Sequence, residues 1–156
     1  MIKRIAFRTA SRLIIQPWYR QVRGLTLGTR NVVLDEASCV LLIQHTYAPG
    51  WMLPGGGVER GETIYAAAVR ELREETAVIA EEEPILLGLY LNDQVFPGDH
   101  VACFVLRRYR REAFHPNREI AAAGFFQLEN LPEGTTGGTR RRIAEALGSP
   151  VASFVW

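Results

Sequence analysis

The stretch GGVERGETIYAAAVRELREETAV, Gly56 to Val78, joins a glycine run to a segment of helical period. From Thr63 to about Thr76, Ile64, Ala68, Val69 and Leu72 recur on one side with charges opposite. Thr63, directly after acidic Glu62, stands in a cap-like position. Glu71, Glu74 and Glu75 follow the i, i+3, i+4 spacing and project from one side of that helix. Two carboxylates about 5 to 6 Å apart repel by roughly 3 kcal/mol at an effective dielectric near 20. A partly enclosed set therefore calls for a neutralising group. A hard divalent cation suits it, because Mg²⁺ takes a few carboxylates, several waters and phosphate oxygens. Three glutamates alone also fit a solvated acidic face balanced by Arg70 and Arg73. The glycines favour the metal: Gly55, Gly56 and Gly57 permit close backbone approach, and the Gly56 carbonyl could add a ligand. Arg70 can reach Glu74 at i+4 and hold its carboxylate. The run is not a Walker phosphate loop, since GxxxxGK[ST] is absent.

Outward from this stretch, Leu25–Leu34 and Cys39–His45 read as two strands around a turn at Asp35-Glu36. Residues 84–95 and 100–109 suggest a second pair, turning at Phe96-Pro97-Gly98-Asp99. A further strand fits Gly124–Leu128 and a closing helix Thr139–Leu147. Strands and helices mix without βαβ alternation, so an α+β class, an α/β/α sandwich with a mixed sheet, is expected.

The chain has 156 residues, enough for one domain with a substantial core, and its 47% hydrophobic and 22% charged residues are those of a globular protein. No apolar run is long enough to span a bilayer. Cys39 and Cys103 lie in apolar stretches without ligand spacing and read as free thiols in a reduced, cytoplasmic setting. Residues 1–24 stand apart from the domain expected over 25–156. The first 34 residues carry Lys3, Arg4, Arg8, Arg12, Arg20, Arg23 and Arg30 and no acid. Ile2, Ile5, Ala6, Thr9, Leu13 and Ile14 recur there at helical spacing until Pro17. This predicts a basic amphipathic helix that packs on its own domain or a partner subunit, rather than on lipid or nucleic acid. It does not read as a secretory signal, because charges run into the apolar part.

Gly56, Glu62, Arg70, Glu71, Leu72, Glu74, Glu75 and Val78 match the Nudix box, G-x5-E-x7-R-E-U-x-E-E-x-G-U with U aliphatic. Together with the approach Trp51-Met52-Leu53-Pro54-Gly55-Gly56-Gly57, residues 25–147 thus resemble the Nudix hydrolase (MutT-like) family. Ala77 departs from the pattern's final glycine, where a left-handed helix end costs other residues about 1 kcal/mol. The resemblance implies hydrolysis of a nucleoside diphosphate linked to another moiety X, by water attack on phosphorus, with Mg²⁺ or Mn²⁺ as cofactor. It implies Glu71, Glu74 and Glu75 as metal ligands with the Gly56 carbonyl, and Arg70 orienting them. Glu62 would support the loop or a second metal. The first choice of general base is Glu71 or Glu74, with Asp99 and Glu119 as candidates outside the box. The expected partner is a small-molecule nucleoside diphosphate derivative; nucleic acid is not expected, and a homodimer is compatible with the sequence.

Trp51, Tyr47, Tyr90 and Phe96 could stack on a base, although strand aromatics more often build core. Arg30 and His45 might face a phosphate, whereas His100 and His115 lack a partner pattern. Two other readings are a non-catalytic nucleotide- or RNA-binding module of the same fold and a prenyl diphosphate isomerase. The intact charged positions of the box disfavour the first. Short length and no evident cysteine–glutamate arrangement disfavour the second.

Overall fold

A computed structural model describes residues 24–156, so the expected amino-terminal helix lies outside the described residues. Strand β1 (Thr26–Val33) is followed by β2 (Cys39–His45), helix α1 (Ile64–Thr76) and the short β3 (Val78–Ala80). Strands β4 (Ile85–Leu91), β5 (Asp99–Leu106), β6 (Tyr109–Arg111) and β7 (Ile120–Gln127) come next, and helix α2 (Gly137–Ala146) closes the order. The cap of α1 is the one the sequence announces, whereas α2 starts at Gly137, two residues before the expected Thr139. Thr63 accepts from the Ala66 amide at the start of α1, and the Thr136 hydroxyl does the same for Thr139 at the start of α2.

One expected pairing differs. β1 and β2 share a single bridge, Leu34 with Val40, rather than forming a ladder. β1 instead runs parallel to β5 from Thr26 opposite Asp99 to Val33 opposite Leu106, and β2 pairs antiparallel with β7. The expected hairpin of β4 and β5 is present, which makes the β1-β5-β4 sheet mixed. β7 also begins four residues before the expected Gly124.

At β1 and β5 both faces of this sheet are covered, and these strands are apolar on both sides. On one face Val32, Cys103 and Tyr90 pack with Leu42 and Ile143 of α2. On the other, Ala102 and Phe104 meet Ala68, Ile64 and Tyr65 of α1, while Val33 joins Leu72. Helix, sheet and helix are thus stacked as the sequence leads one to expect. No helix among the described residues is long and apolar enough to cross a membrane. Cys39 and Cys103 are free thiols; burial pushes the Cys103 thiol up to about 12.

Helix α1 ends where the box pattern has glycine. Ala77 sits in the left-handed region at φ 57°, with its N–H donating to the Arg73 carbonyl. An Ala77→Gly variant is accordingly expected to gain about 1 kcal/mol of stability. Urea denaturation checks this: a higher midpoint at unchanged slope is expected, and no rise would show that the cap carries no strain.

Candidate active site

The glycine loop is clamped to β1 before it reaches the helix. The Asn31 amide donates to the Pro54 carbonyl and the Thr29 amide to the Gly56 carbonyl, each at 2.8 Å. Arg30 Nη1 donates to the Gly55 carbonyl, and the buried Asn31 side chain donates to Ala68 of α1. Two glycines are sterically required. A Cβ on Gly55, at φ 142°, would lie 2.2 Å from the Thr29 carbonyl oxygen; one on Gly56 would lie 2.5 Å from the Glu71 carboxylate. The loop backbone therefore touches the helix carboxylates directly.

Arg70 ties this contact together. Its Nε and Nη2 donate to the two oxygens of Glu62 at 2.9 and 3.0 Å, and Nη2 also donates to the Gly57 carbonyl at 3.1 Å. Nη1 donates to Glu71 at 2.7 Å and to Glu74 at 3.2 Å. The Arg70 guanidinium holds the Glu62 carboxyl below the usual range, and Glu62 and Glu71 together raise Arg70. Glu62 thus faces Arg70 and the loop; its oxygens are committed to the guanidinium and to the Glu59 amide at 3.0 Å.

The three helix glutamates are not equivalent. Glu74 is 60% exposed at its side chain. Glu75 lies on the buried stripe with Ala68 and Leu72 and is 7% exposed. Its Oε2 accepts from the Gly55 amide at 2.6 Å. Burial pushes this carboxyl up to about 7 against the opposing pull of the Gly55 amide and Arg30, with Glu71 and Glu119 adding to the rise. His45 Nε2 lies 4.0 Å away. Burial lowers His45 while it raises Glu75, so both shifts oppose an ion pair between them.

A carboxyl raised from 4.5 to about 7 on folding binds its proton more tightly in the folded state. Its contribution is complete below pH 4.5 and is lost as pH rises through 7, a change on the order of 3 kcal/mol. In EDTA, the melting temperature of the wild type should therefore fall more steeply between pH 5 and 8 than that of Glu75→Gln. Parallel curves would contradict it.

Glu71, Glu74 and Glu75 line a cleft of about 360 Å³ opposite Asn117, Arg118, Glu119 and Ile120. Glu119 is set there by an Asx turn: Asn117 Oδ1 accepts from the Glu119 and Ile120 amides, each at 2.8 Å. Thr46, just past β2, holds the same loop through the Arg118 and Glu119 carbonyls. The Glu119 carboxylate has no hydrogen-bond or ion-pair partner among the described residues. The cleft's carboxylates offer oxygen ligands, and the contact between Gly56 and Glu71 gives backbone and side chain a common edge. This donor set suits a hard divalent cation. As placed, the side chains turn to Arg70 and Gly55, and no three acidic, imidazole or thiol groups converge on a single point among the described residues.

Asp99, the other outlying candidate, is elsewhere. Its oxygens accept from Thr26 Oγ1 at 2.6 Å and Asn92 Nδ2 at 2.8 Å. It borders a second cavity of about 620 Å³. Gly56, Gly57, Arg30, Arg141 and Trp156 also border that cavity. Trp51 packs edge-on to Phe126 and Tyr90 is buried, so both are core, whereas Tyr47 and Phe96 are exposed. His100 is half-buried and His115 exposed. Asn117, Thr46, Asn31, Arg141 and Trp156 were not singled out by the sequence. Only the Asn-x-Glu spacing at Asn117 carried a signal, that of an Asx turn.

The model of the NUDIX domain matches residues 24–147. An ADP-ribose pyrophosphatase from Methanocaldococcus jannaschii is 36% identical over 106 residues, 65% of this chain and 62% of that protein. A putative 8-oxo-dGTP diphosphatase from Bacillus subtilis is 47% identical over 51 residues, covering 33% of this chain and 34% of the relative. The chain thus spans less than two thirds of the length of these relatives. Among solved structures, a MutT Nudix hydrolase from Burkholderia pseudomallei superposes with a TM-score of 0.67 at 25% identity, over 77% of this chain and 96% of the other. An ADP-ribose pyrophosphatase from Streptococcus suis gives 0.62 at 27% identity, over 80% and 92% of the two chains. With the family's domain model covering the sheet, both helices and the glycine–glutamate junction, the chain belongs to the Nudix family.

Proposed function

We propose that this protein is a pyrophosphohydrolase that cleaves the diphosphate linkage of a nucleoside diphosphate joined to another moiety, using Mg²⁺ or Mn²⁺. The observation that carries this reading is the shared glycine loop. Gly56 touches Glu71 of the acidic cleft, and Gly56 with Gly57 also borders the larger cavity. A diphosphate crossing that loop would place its charge by the glutamates and its organic part in a cavity of ligand size.

Glu71, Glu74 and Glu75 are the ligands we assign to the cation, which when bound would neutralise the diphosphate and lower the pKa of an attacking water. The Gly56 carbonyl already accepts from the Thr29 amide at 2.8 Å and the Thr29 hydroxyl at 3.3 Å, so it would join that set only by releasing the hydroxyl. Arg70 keeps Glu71 and Glu74 side by side despite their repulsion and fixes Glu62 against the loop. Proton removal from water falls best to Glu119, which borders the cleft while Glu71 and Glu74 are bound by Arg70. In the larger cavity, Arg30 and Arg141 supply positive charge, Trp156 an aromatic wall and Asp99 a hydrogen-bond acceptor. That lining fits a nucleoside with a phosphate.

The test is a panel of diphosphate-linked compounds with Mg²⁺ or Mn²⁺, reading phosphate after coupled phosphatase treatment. Metal-dependent release from at least one member is expected; none from any would remove the reading. For the compound turned over, Glu119→Gln should lower kcat by about 10² to 10⁴-fold with little change in KM. An unchanged kcat would return the role of base to Glu71 or Glu74.

A further inference from the structure

β4 is an edge strand, and one of its faces is left uncovered. Its ladder places Leu86 opposite Phe104, Leu89 opposite Ala102 and Leu91 opposite His100 of β5. Residues paired across a ladder share a face, and Phe104 and Ala102 are the ones that pack on α1. The leucines therefore continue the α1 side of the sheet outward past the helix. There they are 42%, 52% and 38% exposed, and Val155, bridged to Leu91, extends the row at 36%. Scattered apolar residues need no explanation, but an aligned apolar row on an edge strand marks a contact surface.

We propose that the amphipathic segment Ile2–Ile14 of the same chain covers this row, with Ile2, Ile5, Thr9 and Leu13 against the leucines. Three observations select this occupant. First, the described chain starts at the correct place. The Thr26 amide donates to the Gly98 carbonyl, so the chain enters at the turn between β4 and β5, at the Leu91 end of the row. Exposed Leu25, Val95 and Phe96 lie on that same turn and its approach. Second, the lengths agree. A helix over residues 2–14 is about 20 Å long, the row from Leu86 to Leu91 about 17 Å, and the residues between them can span up to about 30 Å. Third, the charges are complementary. From Glu81 to Leu106 there are five acids and no Lys or Arg, whereas the first 34 residues hold seven basic residues and no acid.

Entry at the Leu91 end gives one direction the shorter connection to Thr26. The proposed orientation sets residue 14 near Leu91 and residue 2 near Leu86, and it would put Lys3 beside Glu81, Glu82 and Glu83. Lys3 is the sole lysine of the sequence, so a carbodiimide cross-link from a side-chain amine can come from it alone, and fragment masses separate it from a link at the terminal amine. In the full-length wild type, mass spectrometry of the cross-linked monomer should find Lys3 joined to the Glu81–Glu83 peptide. Linkage solely between chains would instead assign the row to a second copy. Linkage solely to acids of the α1 cleft, or no linkage at all, would also overturn the proposal.

A double-mutant cycle in the full chain gives an independent reading. Leu89→Lys and Leu13→Glu should each lower the melting temperature by several degrees, and the double variant should melt no lower than either single one. Additive effects, or no effect of Leu89→Lys, would overturn the contact. So would wild-type binding to vesicles with anionic headgroups that Leu89→Lys leaves unchanged while it also leaves the melting temperature unchanged.

Discussion

Glu74→Gln is expected to lose metal-dependent hydrolysis while keeping the fold. Glu74 is the most exposed of the three helix glutamates and makes one 3.2 Å contact with Arg70. Removing its charge should shift the melting temperature by no more than about 2 to 4 °C, since exposed pairs contribute at most about 1 kcal/mol. Catalysis responds differently. A bound metal ion supplies several kcal/mol of transition-state stabilisation, and each 1.36 kcal/mol is a factor of ten in rate. Losing one ligand should thus lower kcat/KM by at least about 10³-fold. The comparison that checks it is the same panel substrate at saturating Mg²⁺ with thermal denaturation of both proteins. Retained turnover would mean that the cleft does not organise the reaction, and parallel loss of folding would make Glu74 structural.

The second large effect lies away from the cleft. Arg142 has a fully buried side chain, donates to Glu145 at 2.8 Å and rests 3.7 Å above the Tyr90 ring. Tyr90 in turn donates its hydroxyl to the other oxygen of Glu145 at 2.8 Å. Burial, with Glu145 adding to it, pushes Tyr90 well above the usual phenol range, so it remains the donor. Arg142 Nε and Nη1 find no partner among the described residues, and the ring of Trp156 closes over the cluster against Tyr90. Glu145→Ala leaves this guanidinium buried without its counter-charge and should cost about 3 to 5 kcal/mol. For a chain of this size that is a fall of roughly 10 °C in melting temperature. Replacing Arg142 and Glu145 together by Met and Leu should recover most of it, because the desolvation cost disappears with both charges. A double variant as unstable as Glu145→Ala would show that the cluster stabilises by shape rather than by charge pairing.

This cluster marks the limit of what the residues reveal. Thr-Arg-Arg-Arg at 139–142 reads as a solvated start of a helix, and Arg142 with Glu145 at i+3 resembles an ordinary surface pair. Their burial depends on Tyr90, 52 positions before Arg142, and on Trp156 beyond the helix, contacts that no local period records. The junction of Gly55–Gly57 with Glu71, Glu74 and Glu75 was legible for the opposite reason. Loop and helix are consecutive, so steric freedom and charge spacing stand in one short stretch. Helical spacing nevertheless says only that three glutamates share a side. That Glu75 sits beneath the loop, while Glu74 faces water, follows from where β1 and the loop press on α1.

The sheet shows the same division. The β4–β5 hairpin was readable because its turn residues adjoin both strands. The parallel pairing of β1 with β5 joins residues 73 apart, Thr26 with Asp99, and took precedence over the nearby hairpin with β2. β3 and β6, three residues each, are too short to display a period of two. Glu119 was a candidate from its acid alone, whereas its approach to the cleft depends on the turn at Asn117 and the hold of Thr46.

The central claim is that the glutamates of α1 hold the divalent cation on which diphosphate hydrolysis depends. Titrating Mn²⁺ into the metal-free protein, with free Mn²⁺ read by electron paramagnetic resonance, tests it without knowledge of the substrate. The wild type should take up Mn²⁺ saturably, and the Glu71→Gln/Glu74→Gln double variant, folded by circular dichroism, should lose that uptake. Equal uptake by the two proteins would contradict the account.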